Sequence, residues 1–137
     1  MVLHNTTQYA IRILNYIANE SGGDLVSAKT LSEKLEIPYK FLTKIMTKLV
    51  KEEFLVSIRG REGGFKLTRP ANEISVARIL DVISGSLESK SCILGIGSCG
   101  EKKKCALHDQ WGEPKKMIHK MFENTTLDML KGDEFKQ

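Results

Sequence analysis

The three cysteines of this chain, Cys92, Cys99 and Cys105, fall with His108 inside one seventeen-residue stretch, CILGIGSCGEKKKCALH. The spacing Cys-x6-Cys-x5-Cys-x2-His brings four soft or borderline ligands within reach of one centre. Gly95, Gly97 and Gly100 let the backbone wrap with little steric resistance. Thiolates select zinc, copper(I) or iron–sulfur clusters, and imidazole suits zinc or iron. Cys105 and His108 are three residues apart, so on a helix they share a face. Two metal chemistries compete. One is a Cys3His zinc site, a known structural class. The other is an iron–sulfur cluster on three cysteines and one nitrogen ligand, redox-active and labile. A third reading is three reduced thiols in a loop. Spacing leaves zinc and iron both open. Lys102, Lys103 and Lys104 read as a solvated loop tip that partly offsets the thiolate charge.

The compartment bears on that choice. No apolar run approaches the ~20 residues that span a bilayer. The N-terminus, MVLHNTTQYAIRIL, lacks a basic segment followed by an apolar stretch and a small-residue cleavage site. The expected location is the cytoplasm, with no membrane partner. Thiols stay reduced there, and an odd number of clustered cysteines points to a metal or redox site rather than a disulfide framework. A chain of 137 residues, 41% hydrophobic and 28% charged, is most simply one domain with a real core. Its net charge of +4 suggests an anionic partner. We find no nucleophile–base pair, no phosphate-cradling loop before a helix and no carboxylates at catalytic spacing, so an enzyme is not expected.

The elements that must position these groups are set by periodicity. Asn5 and Gln8 have capping-box character, and Ala10, Ile13, Leu14 and Ile17 then repeat as one helical face. Ser21 to Asp24 breaks that helix. Ser27 caps a short second helix carrying Leu31 and Leu35 inward, and Glu36-Ile37-Pro38 is a tight connection, with Pro38 suited to the first turn of a third helix. From Pro38 to Leu55 the pattern is strongly amphipathic, with Leu42, Ile45, Met46 and Leu49 as the apolar stripe. Phe54 to Leu67 alternates like two strands around a glycine-rich loop, closed by Pro70. Ser75 starts a helix with Val76, Ile79, Leu80 and Ile83 inward and Gly85 as its stop. After the cysteines comes a helix with Trp111, Ile118, Met121 and Phe122 on one side, which Pro114 must start or kink. Leu127 to Leu130 reads as a terminal turn.

Helix, turn, helix, hairpin is a winged helix. The expected fold is mainly α with a small β-hairpin wing. Residues 1–85 form the winged helix-turn-helix domain, 86–108 the cysteine-rich loop and 109–137 a further helix and tail, all in a single compact unit. Between Pro38 and Arg61 stand six Lys or Arg residues against two acidic ones. Cations on one exposed face are what DNA phosphates require, and a helix fits the major groove. The candidate DNA-binding residues are Lys40, Thr43, Lys44 and Lys48 on the helix and Arg59, Gly60 and Arg61 in the wing.

The run Gln8-Tyr9-Ala10-Ile11-Arg12, the wing Arg59-Gly60-Arg61-Glu62-Gly63-Gly64-Phe65-Lys66-Leu67-Thr68-Arg69-Pro70 and the three-cysteine loop together resemble the bacterial regulators typified by IscR and NsrR, the Rrf-two superfamily. The likeness covers about residues 1–130. It implies a homodimeric winged-helix transcription factor that binds double-stranded DNA, its subunits crossed through the long helix after the loop. Trp111, Ile118, Met121 and Phe122 are then dimer contacts. It also implies an iron–sulfur cluster, [2Fe-2S] in the first instance and [4Fe-4S] as the alternative, reporting redox state, nitric oxide or iron–sulfur status. By position, Cys92, Cys99 and Cys105 match the family's cluster cysteines, and His108 matches the fourth ligand of the IscR branch. Gln8 stands where the nitric-oxide-sensing branch carries a carboxylate. The outer spacing from Cys92 to Cys99 is one residue longer than in IscR. Lys40, Thr43 and Lys44 differ from that branch's DNA-reading residues, so a different operator is expected.

Overall fold

The computed structural model describes residues 5–21, 23–83 and 106–130. Five α-helices are described: α1 (Asn5–Asn19), α2 (Ala28–Leu35), α3 (Tyr39–Lys51), α4 (Val76–Ile83) and α5 (His108–Glu123). Between α3 and α4 lies an antiparallel hairpin of β1 (Leu55–Ile58) and β2 (Gly64–Leu67), and 3₁₀ turns occupy Ala71–Glu73 and Leu127–Leu130. This is the mainly α fold with a hairpin wing that the sequence leads one to expect.

Helix α1 is the axis of the core. Its predicted stripe of Ala10, Ile13, Leu14 and Ile17 is buried, and Thr7, Ile11 and Asn15 widen the buried face. A face that broad suits a helix packed on several sides, and α1 touches α2, α3, α4, β2 and the C-terminal turn.

Helix α2 begins where Ser27, extended at φ −78° and ψ 155°, accepts a hydrogen bond from the Thr30 N–H at 3.1 Å. That bond satisfies one of the N–H groups that a helix start leaves without a partner. The helix ends at Glu36, left-handed at φ 54° and ψ 41°. A side chain in that conformation costs about 1–2 kcal/mol, which neighbouring bonds must offset. The Ile37 N–H donates to the Ser32 carbonyl at 3.2 Å, and the Ser32 hydroxyl donates to the Ile37 carbonyl at 2.6 Å. Ile37 itself is buried in the core, so the turn is anchored by an apolar side chain.

Helix α3 carries Leu42, Ile45, Met46 and Leu49 inward as expected. Pro38 stands at its N-cap, one residue before the first turn, and its carbonyl accepts from the Leu42 N–H at 2.9 Å. In α4, Val76, Ala77, Ile79 and Leu80 are buried, while Ile83 is half-buried. Pro114 lies inside α5 rather than at its start.

The end of the described chain folds back onto its beginning. Leu127 is wholly buried, and its N–H donates to the Ile74 carbonyl at 3.0 Å. The Asn19 amide donates to the Leu127 carbonyl at 2.9 Å and to Asn15 Oδ1 at 2.7 Å. The Val76 N–H donates to the Thr125 carbonyl at 2.8 Å. The C-terminal turn is thereby part of the same core as α1 and α4.

Candidate nucleic-acid interface and cluster loop

The helix-turn-helix is held at its corner by a residue from α1. Arg12 donates from Nη2 to the Leu35 carbonyl at 2.6 Å, and its guanidinium stands 5.9 Å from the Tyr9 ring centroid. A cation at the C-terminal end of α2 satisfies a carbonyl the helix leaves open and opposes the negative end of its dipole. Arg12 thus ties the core axis to the turn that aims α3. The sequence marks Arg12 only as part of a motif, because a contact across 23 residues leaves no local signal.

On α3, Lys40, Lys44, Thr47 and Lys51 lie on the outward line opposite the buried stripe, and all four are exposed. Thr43 is half-buried, and its hydroxyl donates to the Lys40 carbonyl at 3.1 Å, so its oxygen is left as an acceptor. Lys48 is exposed on the flank of the helix that also carries Phe41. Phe41, Lys44, Ile45 and Lys48 line a shallow cleft of about 310 Å³ completed by Thr6 of α1 and Ile83 of α4.

The wing is built on three glycines with different tasks. Gly60 sits at φ 119°, a conformation that disfavours side chains, and its carbonyl accepts from the Gly63 N–H at 3.1 Å. At Gly63 a Cβ would lie 2.1 Å from the Ile58 carbonyl oxygen. At Gly64 it would lie 2.8 Å from the Val26 carbonyl oxygen. That last contact exists because Val26 pairs with β2: the Phe65 N–H donates to the Val26 carbonyl at 2.8 Å and the Val26 N–H to the Phe65 carbonyl at 3.1 Å. A single residue ahead of α2 therefore forms an isolated antiparallel bridge to β2, binding the wing to the helix-turn-helix. Arg59, Gly60 and Arg61 are exposed at the wing's tip.

Gly63→Ala is expected to deform the wing while leaving the helices in place, because the clash is with backbone. The cost expected for such overpacking is about 1–3 kcal/mol. Far-ultraviolet circular dichroism should keep its helical signal while DNA affinity falls. Unchanged stability and affinity would show that the loop relaxes freely.

Of the four expected ligands, only His108 falls among the described residues. It is the first residue of α5 and is half-buried. Cys92, Cys99 and Cys105 lie outside them. Ile83, the last residue of α4, lines the cleft beside α3, and α5 begins three residues after Cys105. On α5, Trp111 and Ile118 are half-buried, Phe122 packs against the core of its own chain, and Met121 is 53% exposed. Met117, one turn earlier, is 69% exposed and lies off the stripe that the periodicity of this segment picks out. No residue of α5 is fully buried.

A helix-turn-helix with an exposed basic face and an arginine-bearing hairpin defines a winged-helix DNA-binding protein. The sequence matches the Rrf2 family, described as iron-dependent transcriptional regulators, over residues 3–133, and the chain belongs to that family as a transcriptional regulator. Among its relatives, the HTH-type transcriptional regulator NsrR of Oceanobacillus iheyensis is 31% identical over 98% of this chain and 92% of its own length. The regulator IscR of Pectobacterium atrosepticum is 29% identical over 95% of this chain and 79% of its own. The fold is shared with CymR, the global cysteine regulator of B. subtilis, at a TM-score of 0.80 and 20% identity over 95% of both chains. T. potens IscR superposes at a TM-score of 0.74 and 21% identity, over 95% of this chain and 85% of its own. Among the described residues, no helix is long and apolar enough to cross a membrane.

Proposed function

We propose that the protein is a cytoplasmic, homodimeric regulator of transcription, without enzymatic activity, whose hold on an operator is set by an iron–sulfur cluster. The observation that carries this reading is the position of Ile83. It stands at the end of α4, nine residues before Cys92, and it shares a cleft with Phe41, Lys44 and Lys48 of the recognition helix. A ligand shifts DNA binding only by its differential affinity for two conformations, so the cluster would have to favour one arrangement of the recognition helices over another. The likeness to NsrR and IscR supports a cluster rather than zinc.

The donor set fits such a cluster. Cys92, Cys99 and Cys105 would supply three thiolates and His108, at the head of α5, an imidazole. A [2Fe-2S] cluster, or alternatively a [4Fe-4S] one, supplies one-electron chemistry and a target for oxidants or nitric oxide, at a potential raised by nitrogen ligation. The domain division rests on the same reading, with 1–85 binding DNA, 86–108 holding the cluster and 109–137 joining the subunits. Trp111, Ile118 and Met121 are the proposed dimer contacts, extended by Met117, with Phe122 anchoring α5 to its own core.

The test is an absorption spectrum with iron, sulfide and zinc assays on protein purified without oxygen, followed by operator binding with and without the cluster. Broad visible absorption with matching iron and sulfide supports the reading. A colourless protein carrying zinc would make the site structural, and a metal-free protein with three titratable thiols would make it a thiol sensor. Operator affinity indifferent to the cluster would remove the switch.

For the DNA face, Lys44→Ala is expected to weaken operator binding by about 1–3 kcal/mol and to relax specificity at one position, as for a residue that reads a base. Fluorescence anisotropy across a salt series checks this. A uniform loss on all sequences with a shallower salt dependence would instead assign Lys44 to phosphate.

A further inference from the structure

We propose that Phe41 is a specificity-determining residue that reads thymine in the major groove through the base's C5-methyl group, an inference that rests on the DNA-binding function proposed above. Phe41 occupies the first turn of α3 and is 60% exposed. The other phenylalanines among the described residues are occupied in packing: Phe54 is buried in the core, and Phe65 and Phe122 lie against it. A single exposed apolar side chain is common on protein surfaces, so exposure alone decides nothing. The placement is what distinguishes this ring. It stands among Lys40, Lys44 and Lys48, at the end of the recognition helix whose side chains reach base edges.

Chemistry narrows the partner. A phenyl ring has no hydrogen-bonding group, so it gains nothing from phosphate oxygens or from the polar edges of bases. The thymine methyl is the apolar group that the major groove offers, and phenylalanine is among the side chains that contact it. Tyr39, also exposed in this turn, carries a hydroxyl that can bond phosphate and needs no such partner. Phe41 also lines the cleft that contains Ile45 and Ile83. Lys40 and Lys48 supply attraction to any DNA and Lys44 is expected to read a base, whereas Phe41 discriminates by shape.

The experiment uses the full-length protein and a duplex selected from a random library. Each thymine of that duplex is replaced in turn by deoxyuridine, which removes the methyl and keeps the base-pairing edge. Affinity is read by fluorescence anisotropy. At one position in each half-site, the wild type should bind about fourfold more weakly per methyl removed. Phe41→Ala should bind the thymine and deoxyuridine duplexes equally at that position, and Phe41→Leu should retain part of the difference. Wild-type indifference to deoxyuridine at every position would overturn the proposal. So would a Phe41→Ala protein that keeps the full penalty, because another group would then read the methyl. Failure to bind any duplex would overturn the DNA-binding function itself, an outcome distinct from binding without sensitivity to the methyl.

Discussion

Cys105→Ala is expected to abolish the visible absorption of anaerobically purified protein, with iron and sulfide falling together. A cluster held by three thiolates and one imidazole has no spare thiolate in this chain, since the three cysteines are all it possesses. Operator affinity should shift at the same time. Coupling free energies between two sites are typically about 1–3 kcal/mol, so a change of roughly 5- to 150-fold is the expected range. Its direction tells whether the cluster-bound form is the tighter or the weaker binder. The variant should keep its helical circular dichroism, because the core packed around α1, α3 and α4 is built from other residues. Retention of full iron content would mean that other residues complete the site. Loss of iron with unchanged operator affinity would leave the cluster without a regulatory role.

Leu127→Ala is expected to destabilise the protein by about 2–5 kcal/mol, the range for emptying a buried leucine site. A loss of about 3 kcal/mol corresponds to a fall in Tm of roughly 10 °C for a chain of this size. Leu127 is wholly buried, and the bonds around it tie α1, through Asn19, and the strand-like stretch at Ile74 to the C-terminal turn. The surroundings have little freedom to collapse, because those backbone bonds hold the turn in place. Met129, two residues on, is 61% exposed, and Met129→Ala should change stability by less than about 0.5 kcal/mol. Thermal unfolding of both variants at one protein concentration makes the comparison, since dimerisation would otherwise alter apparent stability. Equal effects would mean that the C-terminal turn does not belong to the cooperative core.

Cys105 and Leu127 stand for two kinds of information. The apolar repeat of α1, the Ser27 cap and the inward stripe of α3 are short-range patterns, and each appears in the structure where the sequence places it. The hairpin stands where expected too, although burial does not alternate along β1, where Leu55 alone is buried. The basic face also appears where expected, since Lys40, Lys44 and Lys51 are carried outward once Leu42, Ile45, Met46 and Leu49 must turn inward. The cysteine set is legible in the same way, as residue type and spacing alone, and the three cysteines fall outside the described residues.

The contacts that aim these parts are of the other kind. Arg12 on the Leu35 carbonyl, Val26 against Phe65, and Asn19 on the Leu127 carbonyl join residues far apart in the chain through backbone groups that every residue carries. A carbonyl has no sequence signature, so no pattern announces which one will be claimed. Gly64 shows the limit: the glycine is evident in the sequence, but the reason for it, the Val26 backbone pressed close, arises only when two distant segments pack. Residue type and period by themselves determined the family of elements and the basic face of α3, and they single out the candidate ligands. Tertiary packing alone decided that Leu127 seals the core, that Arg12 braces the turn and that Ile83 shares a cleft with the recognition helix, because those depend on which surfaces are left to bury once the helices have formed.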